Sequence, residues 1–385
     1  MQSSRILSFL SNKEKLIAEA RRFTGSNFRR ILRDGHARRR PRPCGLTVHV
    51  ALNCPFACTY CYIEDMGFKF QQPIKYPLSS LETVYAIALN PYFIPGKMGT
   101  FLAIGSISEP FHPAIYENTL SLIRLINEKL GNPIQFSTKM YLNEGVIIKL
   151  SEQMKDRSIS PLITIVTLKY HDKLEPRTPP PEKRFETIEK LSERGFKPTL
   201  FLRPIIPGII EEEIDDLLEK AYEHGAYSIV VGSLRVSNKI IDRLMNAGID
   251  VTSIIERINK PLKASEQFTI ETSKEKKLIR EKAEKLGLIY LQSACCANAL
   301  SAGVPCYSLC FTSKICTKCP NNCPSKLPKA DEESVQEVIR FLTFKLVDVE
   351  VKGFDIYVYG HFSKKKRSQV KVVLSTIFRR RVYFA

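Results

Sequence analysis

From Gly45 to residue 294 the chain alternates between two periodicities, and this alternation restricts the fold more than any single motif does. Apolar or β-branched runs near 46–52, 100–105, 133–138, 162–168, 198–204, 228–233 and 287–292 alternate with amphipathic stretches near 79–90, 114–130, 144–155, 182–195, 211–224, 236–246 and 272–286. A strand followed each time by a helix returns parallel to the strand before it. The expected fold is α/β, a partial or complete parallel barrel of the TIM type, with its chemistry at the C-terminal ends of the strands. With 44% apolar and 25% charged residues in 385, the chain is of ordinary globular composition, which excludes a largely disordered or collagen-like protein. No run of about 18 apolar residues occurs, and Met-Gln-Ser-Ser-Arg opens no secretory h-region, so a cytoplasmic protein without a membrane partner is expected.

The flanks differ from this body. Residues 1–45 read as a basic extension, helical over Asn12 to Arg33 and closed by Asp34-Gly35 and Arg38-Arg39-Arg40-Pro41-Arg42-Pro43, where proline forbids helix. The barrel takes 46–294. Residues 295–330 lose periodicity in a Cys, Pro, Ser and Lys segment that needs a staple. Residues 331–385 form a small basic α+β extension: a helical pattern over 331–343, strand-like Lys345 to Lys352 and Phe354 to Tyr359, then Lys364-Lys365-Lys366-Arg367 and Arg379-Arg380-Arg381. The net charge of +18 sits in these appendages. They carry 12 basic against 3 acidic residues in 1–45, 4 against 0 in 295–330 and 11 against 7 in 331–385, leaving 31 against 30 for the body. That distribution fits a polyanionic partner, nucleic acid first, although scattered solubilising charge gives the same sum.

Eleven cysteines fall into Cys54, Cys58, Cys61 and Cys295, Cys296, Cys306, Cys310, Cys316, Cys319, Cys323, with Cys44 apart. An odd count in tight spacings, without a secretory signal, fits metal ligation in a reducing compartment better than disulfides. Cys54-Pro55-Phe56-Ala57-Cys58-Thr59-Tyr60-Cys61 follows the first strand directly, so one loop delivers three thiols. Three thiolates hold three corners of a 4Fe-4S cube and leave the fourth iron open, whereas a structural zinc would draw on a nearby Cys or His pair that 40–70 does not offer. Gly105-Ser106-Ile107-Ser108-Glu109-Pro110 follows the second strand and by itself reads as a capped Gly-Ser loop. Lys139 follows the third strand and Arg203 lies at the end of the fifth, where its planar fork suits a carboxylate or phosphate.

Taken in order, these segments resemble the radical S-adenosylmethionine (SAM) superfamily. The closer likeness, to its spore photoproduct lyase-like branch, rests on Cys58-Thr59-Tyr60-Cys61-Tyr62, Ser108-Glu109-Pro110-Phe111-His112-Pro113, Ser137-Thr138-Lys139, Leu174-Glu175-Pro176-Arg177-Thr178-Pro179, Arg203-Pro204-Ile205-Ile206-Pro207-Gly208 and Ser233-Leu234-Arg235. The resemblance implies a 4Fe-4S cluster on Cys54, Cys58 and Cys61 and reductive cleavage of SAM to a 5′-deoxyadenosyl radical that abstracts hydrogen from a substrate. It further implies an external electron donor of the ferredoxin or flavodoxin type. Gly105, Ser106, Ser108 and Glu109 would receive the SAM ammonium, Lys139 its carboxylate, and Tyr60 would pack on it; Arg203 would take the SAM carboxylate or a substrate phosphate. Tyr60 and Arg203 read equally well as barrel packing, and Glu175 with Arg177 as a structural salt bridge. The branch's namesake places a hydrogen-donating cysteine at the end of the second strand, where Phe101 to Glu109 has none. Thymine-photoproduct repair is therefore not carried over.

The second group, with Cys306, Cys310, Cys316, Cys319 and Cys323 as its candidate ligands, suits a second 4Fe-4S cluster or a zinc ion, and Cys295-Cys296 adds two thiols to the set. Lys314 and Lys318 between the thiols fit a phosphate-facing knuckle or simple solvation. The expected function is hydrogen abstraction from a nucleic acid, a DNA lesion or an RNA site. A peptide-modifying enzyme with an auxiliary cluster and a non-enzymatic metal- and nucleic-acid-binding module remain as alternatives.

Overall fold

The computed structural model describes residues 2–42, 45–263, 266–306 and 319–385. Cys44, Cys310, Cys316, Lys314 and Lys318 lie outside the described residues. Seven strands, β1 (Leu46–Val48), β2 (Leu102–Ile104), β3 (Ile134–Thr138), β4 (Ser160–Thr164), β5 (Thr199–Ile205), β6 (Ser228–Ser233) and β7 (Ile289–Leu291), pair in that order, every pair parallel. Each of the seven expected runs contributes one strand. The sheet begins at β1 and ends at β7 without closing, so the barrel is partial.

Helix α1 (Gln2–Thr24) precedes the sheet. The connections carry α2 (Ser80–Leu89), α3 (Tyr116–Leu125, continued by a π-turn to Leu130), α4 (Glu144–Gln153), α5 (Pro181–Glu193), α6 (Ile210–Glu223), α7 (Asn238–Asn246) and α8 (Ser273–Leu286). Local chemistry starts several of them. Ser79 and Glu82 form a reciprocal capping box for α2, Asn143 caps α4, and Glu211, Glu212 and Glu213 set negative charge in the first turn of α6. Alternate strand residues point to opposite faces. Phe136, Ile163, Leu200, Leu202 and Ile229 meet the helix layer in the main core, beside Ile147, Phe185, Ile188, Leu217 and Leu218. Burying each of these side chains contributes about 1.5–3 kcal/mol.

The intervening residues, Leu162, Phe201, Val230 and Leu291, meet a helix that the sequence reading did not foresee. Periodicity was expected to dissolve beyond 294, yet α9 (Ala294–Ala302) lies against the inner face through Ala294, Ala297 and Leu300. Its small side chains permit close approach, and its weak apolar period reflects contact on several sides rather than disorder. Asn298 donates to the carbonyls of Leu102 and Pro133, at 3.5 and 3.4 Å.

The C-terminal extension is more ordered than its basic sequence implies. It holds α10 (Glu332–Thr343), β8 (Asp348–Lys352), β9 (Asp355–Tyr359), α11 (Lys364–Phe378) and β10 (Arg381–Phe384), with β8 and β9 antiparallel and β9 and β10 parallel. Leu10 of α1 and Ile94 share its core with Val335, Val338, Ile356, Val373 and Phe378. The final arginines are not a solvated tail. Arg379 is wholly buried and donates to the carbonyls of Pro305, Thr376 and Gly99, while Arg381 pairs with Asp355.

The N-terminal helix begins at Gln2 rather than Asn12, tightens over Gly25–Asn27 and resumes over Phe28–Arg33. Asp34 then caps one more turn, accepting the His36 backbone N–H, and pins it to the barrel. Its carboxylate meets His36 Nδ1 at 2.7 Å and the Tyr76 hydroxyl at 2.7 Å, and His36 Nε2 accepts the His49 backbone N–H. Burial opposes the charge on Asp34, but the His36 and Tyr76 donors outweigh it and hold the carboxyl below its usual range. A depressed carboxyl stabilises the fold fully above its unfolded value of about 3.9 and loses that contribution as pH falls through the lower folded value. Asp34→Asn is accordingly expected to cost about 1–3 kcal/mol at pH 7, from a buried donor left unmatched. Urea unfolding of both proteins checks this, and the difference should shrink below about pH 4; a pH-independent difference would remove the carboxylate from the account.

Candidate active site

The C-terminal ends of β1 to β6 share one edge of the sheet, and the residues singled out in the sequence leave from it. The loop after β1 turns through two left-handed non-glycine residues, Asn53 (φ 69°) and Ala57 (φ 49°), which bend Cys54 and Cys58 back over the sheet. Its ends are tied by Asn53 Oδ1 accepting the Lys69 N–H and by Cys54 N–H donating to the Lys69 carbonyl. The Thr59 N–H donates to the Leu174 carbonyl of the loop after β4. On the remaining side Arg243 of α7 donates to the carbonyls of Thr59 (3.0 Å) and Cys61 and pairs with Glu64. No sequence pattern marks Arg243, because its partners lie far away along the chain. Arg243→Met is expected to speed loss of iron from a reconstituted protein by about 10–100-fold, the usual effect of removing an outer partner of a metal site; the chelator-stripping rate measures this.

Cys54, Cys58 and Cys61 are neighbours in this loop, each within electrostatic reach of Lys139. Burial pushes all three thiols up, Cys54 to about 12. Thiolate ligands here therefore need a positive centre, and the loop is prepared for one. The Phe56 N–H points at Cys54, and the Ile63 and Tyr62 N–H groups point at Cys61, which is how protein donors support cluster sulfurs. Among the described residues these three sulfurs do not form a group within 4.8 Å of one another. The donor set fits a 4Fe-4S cluster.

Around the cysteines runs a buried polar chain. Tyr60 donates its hydroxyl to Glu175, Arg184 of α5 pairs with the other Glu175 oxygen, and Lys139 Nζ stands 3.9 Å from Glu175 and 5.6 Å above the Tyr60 ring. Glu175 and Arg184 have no exposed surface. Burial alone would raise the Glu175 carboxyl, but Arg184 and Lys139 hold it below the usual range. The partner of Glu175 is thus Arg184, not the expected Arg177. The available signal was an arginine on the buried stripe of α5, beside Phe185 and in step with Ile188 and Leu191.

Glu109 is sealed in. Its carboxylate accepts from Thr138 Oγ1 (2.5 Å), the Lys139 N–H (3.0 Å) and the Phe111 N–H (3.0 Å). Through these bonds Glu109 fixes the loop that carries Lys139. Glu213 of α6 repeats the device, accepting from Thr167, Leu168 and Lys169. Gly105 adopts φ +100°, and a Cβ there would lie 2.4 Å from the Ser137 carbonyl, so the turn reaches β3 only as glycine. Ser106 is exposed beside it, Ser108 is buried, and Arg203 is exposed with its side chain across Gly232.

Five thiols of the second cysteine group are among the described residues. Cys295, Cys296 and Cys306 come together, while Cys319 and Cys323 pack against the adjoining inner clusters.

Residues 48–221, the segment holding the cysteine loop, Gly105, Lys139 and Arg203, match the model of the Radical SAM superfamily. Over that segment the chain is similar to the radical SAM superfamily. Two curated relatives are similar to this chain: an uncharacterized protein of Acidianus two-tailed virus, 27% identical over 190 residues, and one of Methanocaldococcus jannaschii, 27% identical over 168 residues. They cover 46% and 42% of this chain, and the chain spans 61% of the length of each. Among solved structures, a spore photoproduct lyase variant superposes with TM-score 0.52 at 15% identity, covering 66% of this chain and 78% of its own. A second variant, with bound AdoMet and dinucleoside spore photoproduct, gives 0.53 at 14% identity, covering 68% and 81%. At such identity the likeness is one of fold. No described helix is long and apolar enough to cross a membrane.

Proposed function

We propose that this chain is a radical SAM enzyme acting on a nucleic acid, with Cys54, Cys58 and Cys61 as the cluster ligands. When bound, the cluster and SAM supply a 5′-deoxyadenosyl radical that abstracts hydrogen from the substrate, on receipt of an electron from an external donor. The observation that carries this reading is the shared edge: the three thiols, the Gly105 turn, Lys139 and Arg203 leave neighbouring parallel strands at the same end. Lys139, already among the thiols, holds positive charge against the cofactor carboxylate. The Gly105 carbonyl and the Ser106 hydroxyl offer acceptors for its ammonium. Tyr60, tied down by Glu175, walls the site, and Arg203 reaches outward toward a substrate phosphate.

Nucleic acid is favoured over an acidic peptide by where the charge lies. Arg21, Arg22, Arg29, Arg33, Arg40 and Arg42 are exposed on the N-terminal extension, and Lys364, Lys365 and Arg367 on the start of α11. Leu10, seated in the C-terminal core, joins the two basic segments into one body beside the barrel. The dinucleoside ligand of the structurally similar lyase variant supports the same class. Fluorescence anisotropy with labelled RNA and DNA over a salt series tests it: log affinity should fall linearly with log salt, and Arg21→Ala/Arg22→Ala/Arg29→Ala should reduce the slope by about 2–3. Absence of binding at low salt, with tight binding of an acidic peptide, would replace the substrate class and leave the cofactor chemistry standing.

A further inference from the structure

Three sulfurs deep in the partial barrel stand closer together than those of the active-site loop. Cys295 and Cys296 open α9, Cys306 follows its end, and all three Sγ atoms lie within 4.8 Å of one another, with Cys295 and Cys306 at 3.6 Å. Zinc–thiolate bonds of about 2.3 Å in a tetrahedron place neighbouring sulfurs about 3.8 Å apart. The corner thiolates of an iron–sulfur cube, each on its own iron, stand farther apart. The surroundings also belong to a structural site. Phe101, Ala299, Ala302 and Val304 pack around Cys295 and Cys306, and the wholly buried Arg379 anchors the preceding residue by donating to the Pro305 carbonyl. Ser293 Oγ lies 3.0 Å from Cys295 Sγ and 3.4 Å from Cys296 Sγ, close enough to orient both.

We propose that Cys295, Cys296 and Cys306 supply three ligands of a single zinc ion, with water completing its tetrahedron, separate from the cluster on Cys54, Cys58 and Cys61. Three S–H bonds give up their protons to solvent as three Zn–S bonds form, with no change of oxidation state. The ion ties both ends of α9 together on the inner face of the sheet, the staple that the irregular 295–330 segment requires. This site does not depend on the substrate assigned above or on radical chemistry.

The test uses the full chain carrying Cys54→Ala/Cys58→Ala/Cys61→Ala, so that any remaining metal belongs elsewhere. Elemental analysis after purification without added metal should find about one zinc per chain and no acid-labile sulfide. Adding Cys295→Ser or Cys306→Ser should remove that zinc. Because these variants could fail to fold, cobalt exchange into the otherwise unaltered triple variant gives a second readout. A tetrahedral visible spectrum with thiolate-to-cobalt charge transfer is expected, and Ser293→Ala, which spares the ligands, should shift it. Iron and labile sulfide in place of zinc would make this an auxiliary cluster, and a Cys295–Cys306 disulfide in the peptide map would abolish the site; either overturns the proposal. Zinc retained in both serine variants would overturn it too.

Discussion

Cys58→Ala is expected to strip the iron and sulfide of the 54–61 loop and to reduce 5′-deoxyadenosine formation from SAM under dithionite by more than about 100-fold. Loss of a mere outer partner of a metal site already costs about 10–100-fold, and Cys58 is a proposed ligand in a buried setting. Anaerobic reconstitution followed by iron counts and chromatography measures both quantities. The control is Cys319→Ala, a thiol packed against Leu162, Val230 and Leu291 rather than in the 54–61 loop, which should leave deoxyadenosine unchanged. Full deoxyadenosine formation by Cys58→Ala would separate the chemistry from this loop and overturn the assignment of its ligands. Intact SAM binding with no cleavage in the wild-type protein would instead point to a requirement for substrate.

The second large effect is on stability. Glu175→Ala should cost about 3–5 kcal/mol, because it leaves the Arg184 guanidinium buried without its counter-charge. Glu175→Met/Arg184→Met should recover much of that loss, since an apolar pair removes the desolvation cost together with the attraction. Urea unfolding of the apoprotein measures each, free of any contribution from bound cofactor. A cost below about 1 kcal/mol for Glu175→Ala would mean that water reaches the pair and that it behaves as a surface ion pair. The double variant separates scaffold from site: it should fold yet lose the anchoring of Tyr60 and the counter-charge that faces Lys139.

The elements of this protein were far more legible than their partnerships. Seven strands and seven helices could be placed because hydrophobic period and caps are local, and parallel order follows from their alternation. Where sequence reading failed, local signal and tertiary outcome disagree. Helix α11 begins with Lys364, Lys365 and Lys366, positive charge at the wrong end of the helix dipole, so the run gives no helix start within the α+β extension, although Ser363 caps it. Helix α9 has apolar residues on several sides because it is enclosed, and an enclosed helix loses the amphipathic period that would announce it. In the active-site loop the thiols, the glycine turn and Lys139 stand out as types and spacings. Arg243 does not, since nothing near it in sequence indicates that an arginine there will cross to the cysteine loop, and Arg184 shows only in its place on the buried stripe of α5. The pairing within the second cysteine group was likewise out of reach, because spacing cannot say which of several thiols a folded chain will bring within bonding distance of one ion.

The seat of Leu10 among Val335, Val338, Ile356 and Phe378 is only one of the holds on α1. Leu16 of the same helix sits in the main core of the barrel, and Lys13 donates to the carbonyls of Asn90 and Phe93. The helix is therefore clamped from both sides, and a displacement of the C-terminal core against the barrel would have to break one set of its contacts.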